Sequence, residues 1–366
     1  MTLRTLTLGL ALLATPLAAQ DTPSPPAKDE AETCPAGTEP VVTLGFGSRY
    51  TDDSKNRSDF DEEADKAVTA ALKPIDDFIN DLARLTDTLH DPETEAQDAK
   101  AAADCVVSLI LPWAEADALS DLRTQGANLS APSRVGGIAF AYGAAIAAQP
   151  DLASPEIEAW LLARAQQGMA FFDTEAPPRA SQNNLRAWAG LAVTRVGLIL
   201  DDPALIDWGA GSAELVACTA APDGSLPNEM WRGRLALHYQ LHAVAPLVVT
   251  AALLPDRDLF ALCDAAIPRI VRFTLAGLDD PAPVEALTGK AQSVGGKKKA
   301  RDFELAWLPA YLRFNPDPDL AARMEAVEKL GSSKLGGDQR LLWPLVPPGE
   351  AKPATVTPTE ATPTEG

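Results

Sequence analysis

Apolar residues recur along most of the chain every three or four positions, the period that places them on one face of an α-helix. The first long run covers residues 62–89, where Pro74 predicts a bend or a break in the helix. Further helical runs are predicted at 98–113, 135–148, 154–172, 182–200, 206–218, 228–254, 258–276, 303–314 and 318–330. Only residues 41–46 alternate as a β-strand would. The pattern therefore predicts an all-α protein.

Short connections containing Gly, Pro and Asp, such as APDGSLPNE, separate the predicted helices. Successive amphipathic helices with short links pack as antiparallel pairs, and roughly nine or ten of them suggest hairpins arranged in an arc or toroid. No repeat of fixed period is visible, which argues against a short-repeat solenoid.

The two ends of the chain differ from its middle. Residues 1–19 combine Arg4, a short apolar run and the segment TPLAA, which predicts a secretory signal peptide cleaved after Ala19. That run is too short to span a bilayer, and later apolar stretches are interrupted by Pro, Asp or Arg. Residues 20–33 and 347–366 are rich in Pro, Thr, Glu and Ala and are predicted to be disordered. We expect one helical domain over residues 34–346, in an exported monomer without a membrane span.

Four cysteines are present, and an exported protein can form disulfides between them. No two have the close spacing of a zinc or redox motif, so we expect no metal site. Three pairings are possible. We favour Cys34 with Cys105, which would tie the N-terminal segment to the first helical hairpin. Cys218 and Cys263 can equally be small buried core residues.

The net charge is −20, which argues against nucleic acid as a partner. Taken as a whole-molecule value, this negative charge would also disfavour an acidic ligand. However, the Debye length is about 8 Å at physiological ionic strength, so charges within a cleft outweigh distant surface acids. Local cations occur at Arg49, Lys55 and Arg57, and in GGKKKAR at 295–301, which a solvated loop would explain as well.

The segment SQNNLRAWAG is polar where an apolar helix is predicted. Its residues Asn183, Asn184 and Arg186 are costly to bury without partners. We therefore ask whether they face a cleft.

A second polar face is predicted in the helical run at 228–254. Arg232 and Tyr239 are seven residues apart, hence on one helix face, and His242 shares that side. His238 is predicted to point about 100° away. Taken singly, Tyr239 and His242 could be hydrogen-bonded core residues and Arg232 a surface cation. Their occurrence together with the polar asparagine pair favours a functional cleft.

Several segments resemble, in the same order, the periplasmic mannuronate-specific alginate lyases, a family of polysaccharide lyases. They are FGSRYTDDSKNRSDFDEEADKA, DCVVSLILPWAEADAL, NNLRAW, DWGA, DGSLPNE, RLALHYQLHAVAPL, AWLPAYL and LGGDQR. The first resembles the family's substrate lid, and the resemblance extends from Cys34 to about Arg340. It implies an incomplete (α/α) toroid with a deep cleft, a periplasmic location and no cofactor.

The resemblance also implies roles for individual residues. Asn184 would hold the uronate carboxylate, Tyr239 would be the catalytic phenol and Arg232 the arginine beside it. Arg49 stands where a lysine usually contacts the polymer. The other residues expected to contact substrate are Asn183, Arg186, Trp188 and His242. One position departs from the family, because the histidine that follows the asparagine pair is here Leu185.

A uronate lyase removes the proton at C5 and expels the oxygen at C4, while donors neutralise the neighbouring carboxylate. One tyrosine can make both proton transfers when they occur on the same sugar face, as in mannuronate, and an adjacent arginine favours its phenolate. Leu185 removes a carboxylate donor and a second base. We hypothesise that Arg186 or His242 compensates for this loss.

The sequence thus predicts a lyase that cleaves mannuronate-rich alginate or a related acidic exopolysaccharide. The alternative is a catalytically weakened polyuronate-binding protein that assists polymer transit through the periplasm, which Leu185 favours. Arg232 and Tyr239 favour the lyase. A purely structural scaffold would explain neither the polar faces nor the resemblance.

Overall fold

The computed structural model describes residues 34–345. The predicted signal peptide and the predicted tails at 20–33 and 347–366 lie outside these described residues.

Helices dominate this part of the chain, as the hydrophobic pattern predicts. They are α1 (Glu62–His90), α2 (Ala96–Glu115), α3 (Gln125–Ala148), α4 (Pro155–Thr174), α5 (Asn184–Leu200), α6 (Pro203–Ala217), α7 (Pro227–Met230), α8 (Ala236–Leu253), α9 (Leu262–Asp279), α10 (Ala282–Thr288), α11 (Leu308–Phe314), α12 (Pro318–Glu325) and α13 (Gln339–Leu342). Two short strand pairs accompany them: β1 (Thr43–Leu44) lies parallel to β2 (Asp121–Leu122), and β3 (Gly331–Ser332) antiparallel to β4 (Gly337–Asp338). Of the strand predicted at 41–46, only the two residues of β1 are in a strand.

The helices pack mainly on their neighbours in sequence. Helices α1, α2 and α3 contact one another, α5 lies against α3, α6 and α8, and α8 also contacts α9. One apolar cluster joins the first four helices, and a second surrounds α8 and continues into α9 and α11. The N-terminal half of helix α5 belongs to the second cluster and its C-terminal half to the first, so this helix joins the two halves of the core.

Side-chain caps explain where several helices begin. Asp61 accepts the backbone N–H of Ala64 at the start of α1, and Asn183 accepts that of Leu185 at the start of α5. Pro74 does not split α1, which runs unbroken for 29 residues. The carbonyl that loses its partner belongs to Ala70, an exposed residue, so that solvent can satisfy it.

The predicted helix at 228–254 is wrong in one respect, because the chain breaks between α7 and α8. Gly233 adopts a left-handed conformation there, with φ of 57°. A Cβ at this position would lie 2.7 Å from the side-chain nitrogen of Asn56. Arg232 therefore precedes helix α8, whereas Tyr239 and His242 belong to it.

Two disulfides close loops in the described chain. Cys34 is bonded to Cys105 on α2, as predicted, and this bond holds the N-terminal segment against the first hairpin. Cys218 is bonded to Cys263, which decides between the two readings left open for that pair. No free cysteine occurs among residues 34–345.

One segment of the described chain, Gly233–Leu253, is long and apolar enough to cross a membrane, with a mean hydropathy of 1.3. However, 83% of it is buried inside the protein. It is therefore the core helix α8 with the turn before it, in agreement with the prediction of no membrane span.

The loop between β3 and β4 lies directly on helix α3. A Cβ at Gly137 of α3 would lie 2.6 Å from the backbone oxygen of Ser333, so only glycine allows this approach. The next residue of the loop, Lys334, depends on this contact for its position.

We expect Gly137→Ala to destabilise the protein by about 1–3 kcal/mol, because the added methyl group must displace backbone. The matched control is Gly211→Ala on helix α6, where an added Cβ meets nothing within 4 Å. That change should stabilise by roughly 0.5–1 kcal/mol through helix propensity. Urea unfolding midpoints test both, and a Gly137→Ala protein as stable as wild type would contradict the close approach.

Candidate active site

A cleft of about 580 Å³ opens between the lid-like segment at 47–60 and the helices α1, α3, α5 and α8. The N-terminus of α5, the turn before α8 and the loop at Lys334 also line it. The cleft thus lies where the two halves of the core meet.

The cleft is lined by six arginine or lysine side chains: Arg49, Arg57, Arg134, Arg179, Arg232 and Lys334. No Asp or Glu of the described chain lines it. Arg49 and Arg134 form ion pairs with Asp65 and Asp76, and the other four have no carboxylate within salt-bridge distance among residues 34–345. In a protein with a net charge of −20, this is a local concentration of positive charge.

Arg232 and Tyr239 meet at one end of the cleft, although they are not on one helix. The guanidinium carbon of Arg232 lies 3.6 Å from the centre of the Tyr239 ring, and the arginine side chain is buried. The same guanidinium donates hydrogen bonds to the backbone oxygens of Asn56 and Arg57 and to the hydroxyl of Tyr50. The lid-like segment is thereby held closed over Tyr239.

The hydroxyls of Tyr50 and Tyr239 form a short hydrogen bond to each other. Burial raises the pKa of Tyr239 above its usual value, Arg232 opposes this shift, and Tyr50 adds to it. Arg232 favours the phenolate, as expected, but burial has the larger effect in this closed arrangement. Tyr239 carries its proton at neutral pH.

Behind this pair, Glu229, Asn184 and His242 form a hydrogen-bonded row. The side-chain amide of Asn184 donates to both carboxylate oxygens of Glu229, at 2.9 and 3.0 Å, and the Asn184 backbone N–H donates to one of them at 2.8 Å. The other end of the amide, Oδ1, lies 3.0 Å from Nδ1 of His242. Both ends of the Asn184 side chain are thus occupied, so it positions Glu229 and His242 instead of presenting a free donor to the cleft.

Glu229 and Asn184 are fully buried. Burial raises the pKa of Glu229 to about 7, although the hydrogen bonds from Asn184 and the charge of Arg232 lower it. His242 lines the cleft, and burial together with the charge of Lys334 lowers its pKa well below the usual 6.5. His242 is therefore a neutral imidazole at pH 7.

His238 also lines the cleft, although as the neighbour of Tyr239 on α8 it points about 100° away around the helix. Its ring lies 5.0 Å from that of Tyr239, and its Nδ1 is 3.4 Å from a carboxylate oxygen of Glu304. Burial alone would raise the pKa of Glu304, but hydrogen bonds from His238 and Arg301 lower it to about 2. Side chains from two sides of the first turns of α8 therefore line the cleft.

Lys334 marks the border between the cleft and a second cavity of about 370 Å³. Its ammonium lies 5.9 Å from the centre of the Trp188 ring, and no described residue accepts a hydrogen bond from it. Burial and the nearby Arg134 lower its pKa to about 7, while Asp76 opposes the shift. Trp188 and His242 also line both cavities, so the two spaces are neighbours along one path.

Known proteins resemble this chain over most of its length. A sequence profile described as alginate lyase matches residues 47–284, more than half of the chain. A polysaccharide lyase of Stenotrophomonas maltophilia is 31% identical, over 84% of this chain and 90% of that protein. The chain belongs to the alginate lyase family. An alginate lyase of Azotobacter chroococcum is 29% identical, over 85% of this chain and 84% of that protein.

Solved structures of the family share the fold. Alginate lyase A1-III with a histidine-to-alanine change, complexed with a tetrasaccharide, superimposes with a TM-score of 0.69 at 22% identity, over 86% of this chain and 87% of that one. The unsubstituted enzyme, from Sphingomonas species A1, gives a TM-score of 0.66. The predicted (α/α) toroid is confirmed. The predicted class of activity, a lyase acting on polysaccharide, is confirmed by the relatives, which do not favour the binding-protein alternative.

Most residues that the family resemblance selected are together in the cleft. Arg49, Asn183, Asn184, Trp188, Arg232, Tyr239 and His242 all line it. Leu185 lines it as well and is half-buried beside Phe171 and Phe172. An apolar side chain therefore lines the cleft directly after the asparagine pair.

Arg186 is the exception. It is turned away from the cleft around helix α5, where it forms an ion pair with Asp173 at 2.8 Å and donates to the hydroxyl of Ser212. Its guanidinium also lies 4.2 Å from the centre of the Trp208 ring. These partners satisfy its charge within the fold, so we no longer include Arg186 among the substrate contacts or as compensation for Leu185.

Sequence reasoning missed Tyr50, Glu229 and Lys334. Tyr50 and Glu229 fall within segments that resemble the family, but nothing in their spacing singles them out. Lys334 directly precedes LGGDQR, and a lysine in a loop normally indicates only a solvated surface. The lysine-rich stretch at 297–299 is exposed and does not line the cleft, which supports its reading as a solvated loop.

The raised pKa of Glu229 predicts a dependence of stability on pH. Its pKa is about 7 in the folded protein against an ordinary value of 4.5, so the folded state holds a proton that the unfolded chain has released. Between these two pH values, stability therefore falls as the pH rises. Relative to Glu229→Gln, wild type should lose roughly 3 kcal/mol between about pH 4.5 and 7.

Urea unfolding at several pH values measures this difference. Glu93→Gln, which alters an exposed carboxylate in the turn after α1, serves as the control and should follow the wild-type curve. Parallel pH curves for wild type and Glu229→Gln would contradict a buried carboxyl group with a raised pKa.

Proposed function

We propose that this protein cleaves mannuronate-rich alginate, or a closely related polyuronate, by β-elimination. The observation that carries this proposal is the cleft itself, which six cationic side chains line together with Tyr239 and which no described carboxylate lines. A polymer with one carboxylate per sugar complements this lining. The relatives named alginate lyase support the same substrate class.

The chemistry assigns Tyr239 to the leaving group. Expelling the oxygen at C4 requires a proton, and Tyr239 carries one because its pKa is raised. Arg232, packed on the ring, stabilises the phenolate that forms when this proton is given up. Tyr50, hydrogen-bonded to both residues, holds the hydroxyl in place.

The carboxylate of the reacting sugar must be neutralised while charge develops at C5. Asn184 is occupied by Glu229 and His242, so this task falls to the cations of the cleft. Lys334 suits it, because its ammonium has no acidic partner within salt-bridge distance among the described residues and sits between the two cavities. Arg49 and Arg57 flank the lid side of the same path.

The lining also favours mannuronate over guluronate. In mannuronate the C5 proton and the C4 oxygen leave from the same face of the sugar, so groups on the Tyr239 side of the cleft suffice, whereas Leu185 cannot supply a base on the opposite side. We therefore expect polymannuronate to be the better substrate and polyguluronate to be poor.

We further propose that the protein acts in the periplasm as a monomer. Both disulfides are compatible with an oxidising compartment, and the N-terminal sequence has the composition of a signal peptide. An acidic exterior around a basic cleft would also limit adhesion of the polymer elsewhere on the molecule.

The first test compares purified wild type with Tyr239→Phe on polymannuronate, polyguluronate and glucuronan, following the ultraviolet absorbance of the unsaturated product. Loss of the hydroxyl should lower kcat on polymannuronate by about 10²–10⁴-fold. Tyr311→Phe is the matched control, because that largely buried side chain lies outside the cleft and its hydroxyl bonds no described residue. It should leave kcat unchanged.

If wild type forms no unsaturated product from any of the three polymers but still binds polymannuronate, the polyuronate-binding alternative would replace the lyase. Full activity of Tyr239→Phe would overturn the assignment of the phenol.

Lys334→Met tests the carboxylate contact. Removing one charge-assisted interaction should raise KM for polymannuronate by about 10–100-fold. Because the pKa of Lys334 is about 7, wild-type KM should also rise as the pH increases above 7 and the ammonium loses its proton. The variant should lack this pH dependence. Equal KM values at pH 6 and pH 8 in wild type would speak against Lys334 as the contact.

A further inference from the structure

Leu185 leaves the site without the imidazole that the family carries on helix α5, yet an imidazole is present on the neighbouring helix. His242 of α8 lies against Asn184, the residue directly before Leu185, and its ring centre is 6.4 Å from that of Tyr239. The two rings are nearly perpendicular, at 75°. This spacing lets the two side chains reach adjacent carbon atoms of one sugar.

The hydrogen bonds around His242 determine which ring nitrogen carries the proton. Asn184 must direct its NH₂ group at the Glu229 carboxylate, so that its oxygen faces Nδ1 of His242 at 3.0 Å. An oxygen there requires a proton on Nδ1. The neutral ring therefore donates from Nδ1 to Asn184 and keeps a lone pair on Nε2.

The indole nitrogen of Trp188 also lies close to this ring nitrogen, 3.0 Å from Nδ1. The backbone carbonyl of His242, at 3.1 Å, is an alternative acceptor. In a regular helix that carbonyl would accept the N–H of the residue four positions later, but this residue is Pro246, which has none. The indole therefore donates to the free carbonyl, and both neighbours of His242 are satisfied with Nδ1 protonated.

The geometry thus points to His242 as the general base of the elimination, with Tyr239 acting only as the acid. This role rests on the proposed function. Nε2 of His242 takes the proton from C5, and the electrons of that C–H bond form the double bond between C4 and C5. The C4–O4 bond breaks, its electron pair goes to O4, and O4 takes the hydroxyl proton of Tyr239. After the product leaves, the imidazolium returns a proton to the phenolate through solvent.

The two environments support this division of roles. Tyr239 keeps its proton and His242 lacks one at neutral pH, which is the state that an acid and a base need at the start of the reaction. Glu229 and Asn184 act as positioning residues, because they fix the ring and its tautomer without reaching the sugar. With His242 in this role, the enzyme has a general base although the side chain of Leu185 cannot act as one.

The charged groups around His242 determine where its pKa lies. Lys334, His238 and Arg232 lower it, Glu304 raises it, and burial is the largest cause of the net decrease. In wild type, kcat should therefore hold through neutral pH and decline only well below pH 6.5, where the imidazole gains a proton. A protonated His242 can no longer accept the C5 proton.

The test measures kcat and KM on polymannuronate between about pH 4.5 and 8 for wild type, His242→Gln and a control. His242→Gln should lower kcat by about 10²–10⁴-fold, change KM by less than about threefold and lose the acid limb of the pH profile. The control, His90→Gln, alters an exposed histidine at the end of α1 and should match wild type. Thermal melting by circular dichroism verifies that each variant is folded.

A kcat of His242→Gln within about threefold of wild type, or an unchanged acid limb, would overturn this role while leaving the lyase activity intact. If the variant fails to fold, the wild-type profile decides, because a kcat that already falls at or above pH 6.5 on acidification would contradict a base whose pKa lies well below that value. Inactivity of wild type on every polymer would instead overturn the proposed function itself, and this role with it.

Discussion

The buried guanidinium of Arg232 is the contact on which the closed cleft depends. It packs on the ring of Tyr239 and donates hydrogen bonds to the lid-like segment at Asn56, Arg57 and Tyr50. A charge this deeply buried is costly unless its donors are satisfied, and the lid backbone satisfies them. Lid closure and the burial of Tyr239 therefore depend on one side chain, while burial of the phenol, against the opposing charge of Arg232, keeps its proton in place.

A second constraint is the row from Glu229 through Asn184 to His242. Its members come from α7, α5 and α8, and each is oriented by the next. Pro246 contributes from within α8 by leaving the His242 carbonyl free for the indole of Trp188. The row explains why two asparagines open an otherwise apolar helix: Asn183 caps α5, and Asn184 orients Glu229 and His242.

The charge distribution reconciles an acidic protein with an acidic substrate. The net charge of −20 resides outside the cleft, whereas the cleft presents six cations and, within residues 34–345, no carboxylate. Since salt screens the exterior within about 8 Å, the local field governs which polymer enters. The unpaired ammonium of Lys334 remains costly in the empty protein, and a bound uronate would offset that cost.

The sequence by itself determined the helical class and the family, because these depend on local periodicity and on long matching segments. It favoured Cys34–Cys105 among three possible pairings, and the structure decided for it. It also identified Arg232 and Tyr239, but for a wrong geometric reason, since Gly233 breaks the helix between them. Only the tertiary structure decided that Arg186 forms an ion pair with Asp173, away from the cleft. It also decided that Lys334, which is distant in sequence from the other site residues, borders the cleft. Such partnerships join elements that are distant in sequence, and no local pattern records which side chains satisfy one another's charges and hydrogen bonds.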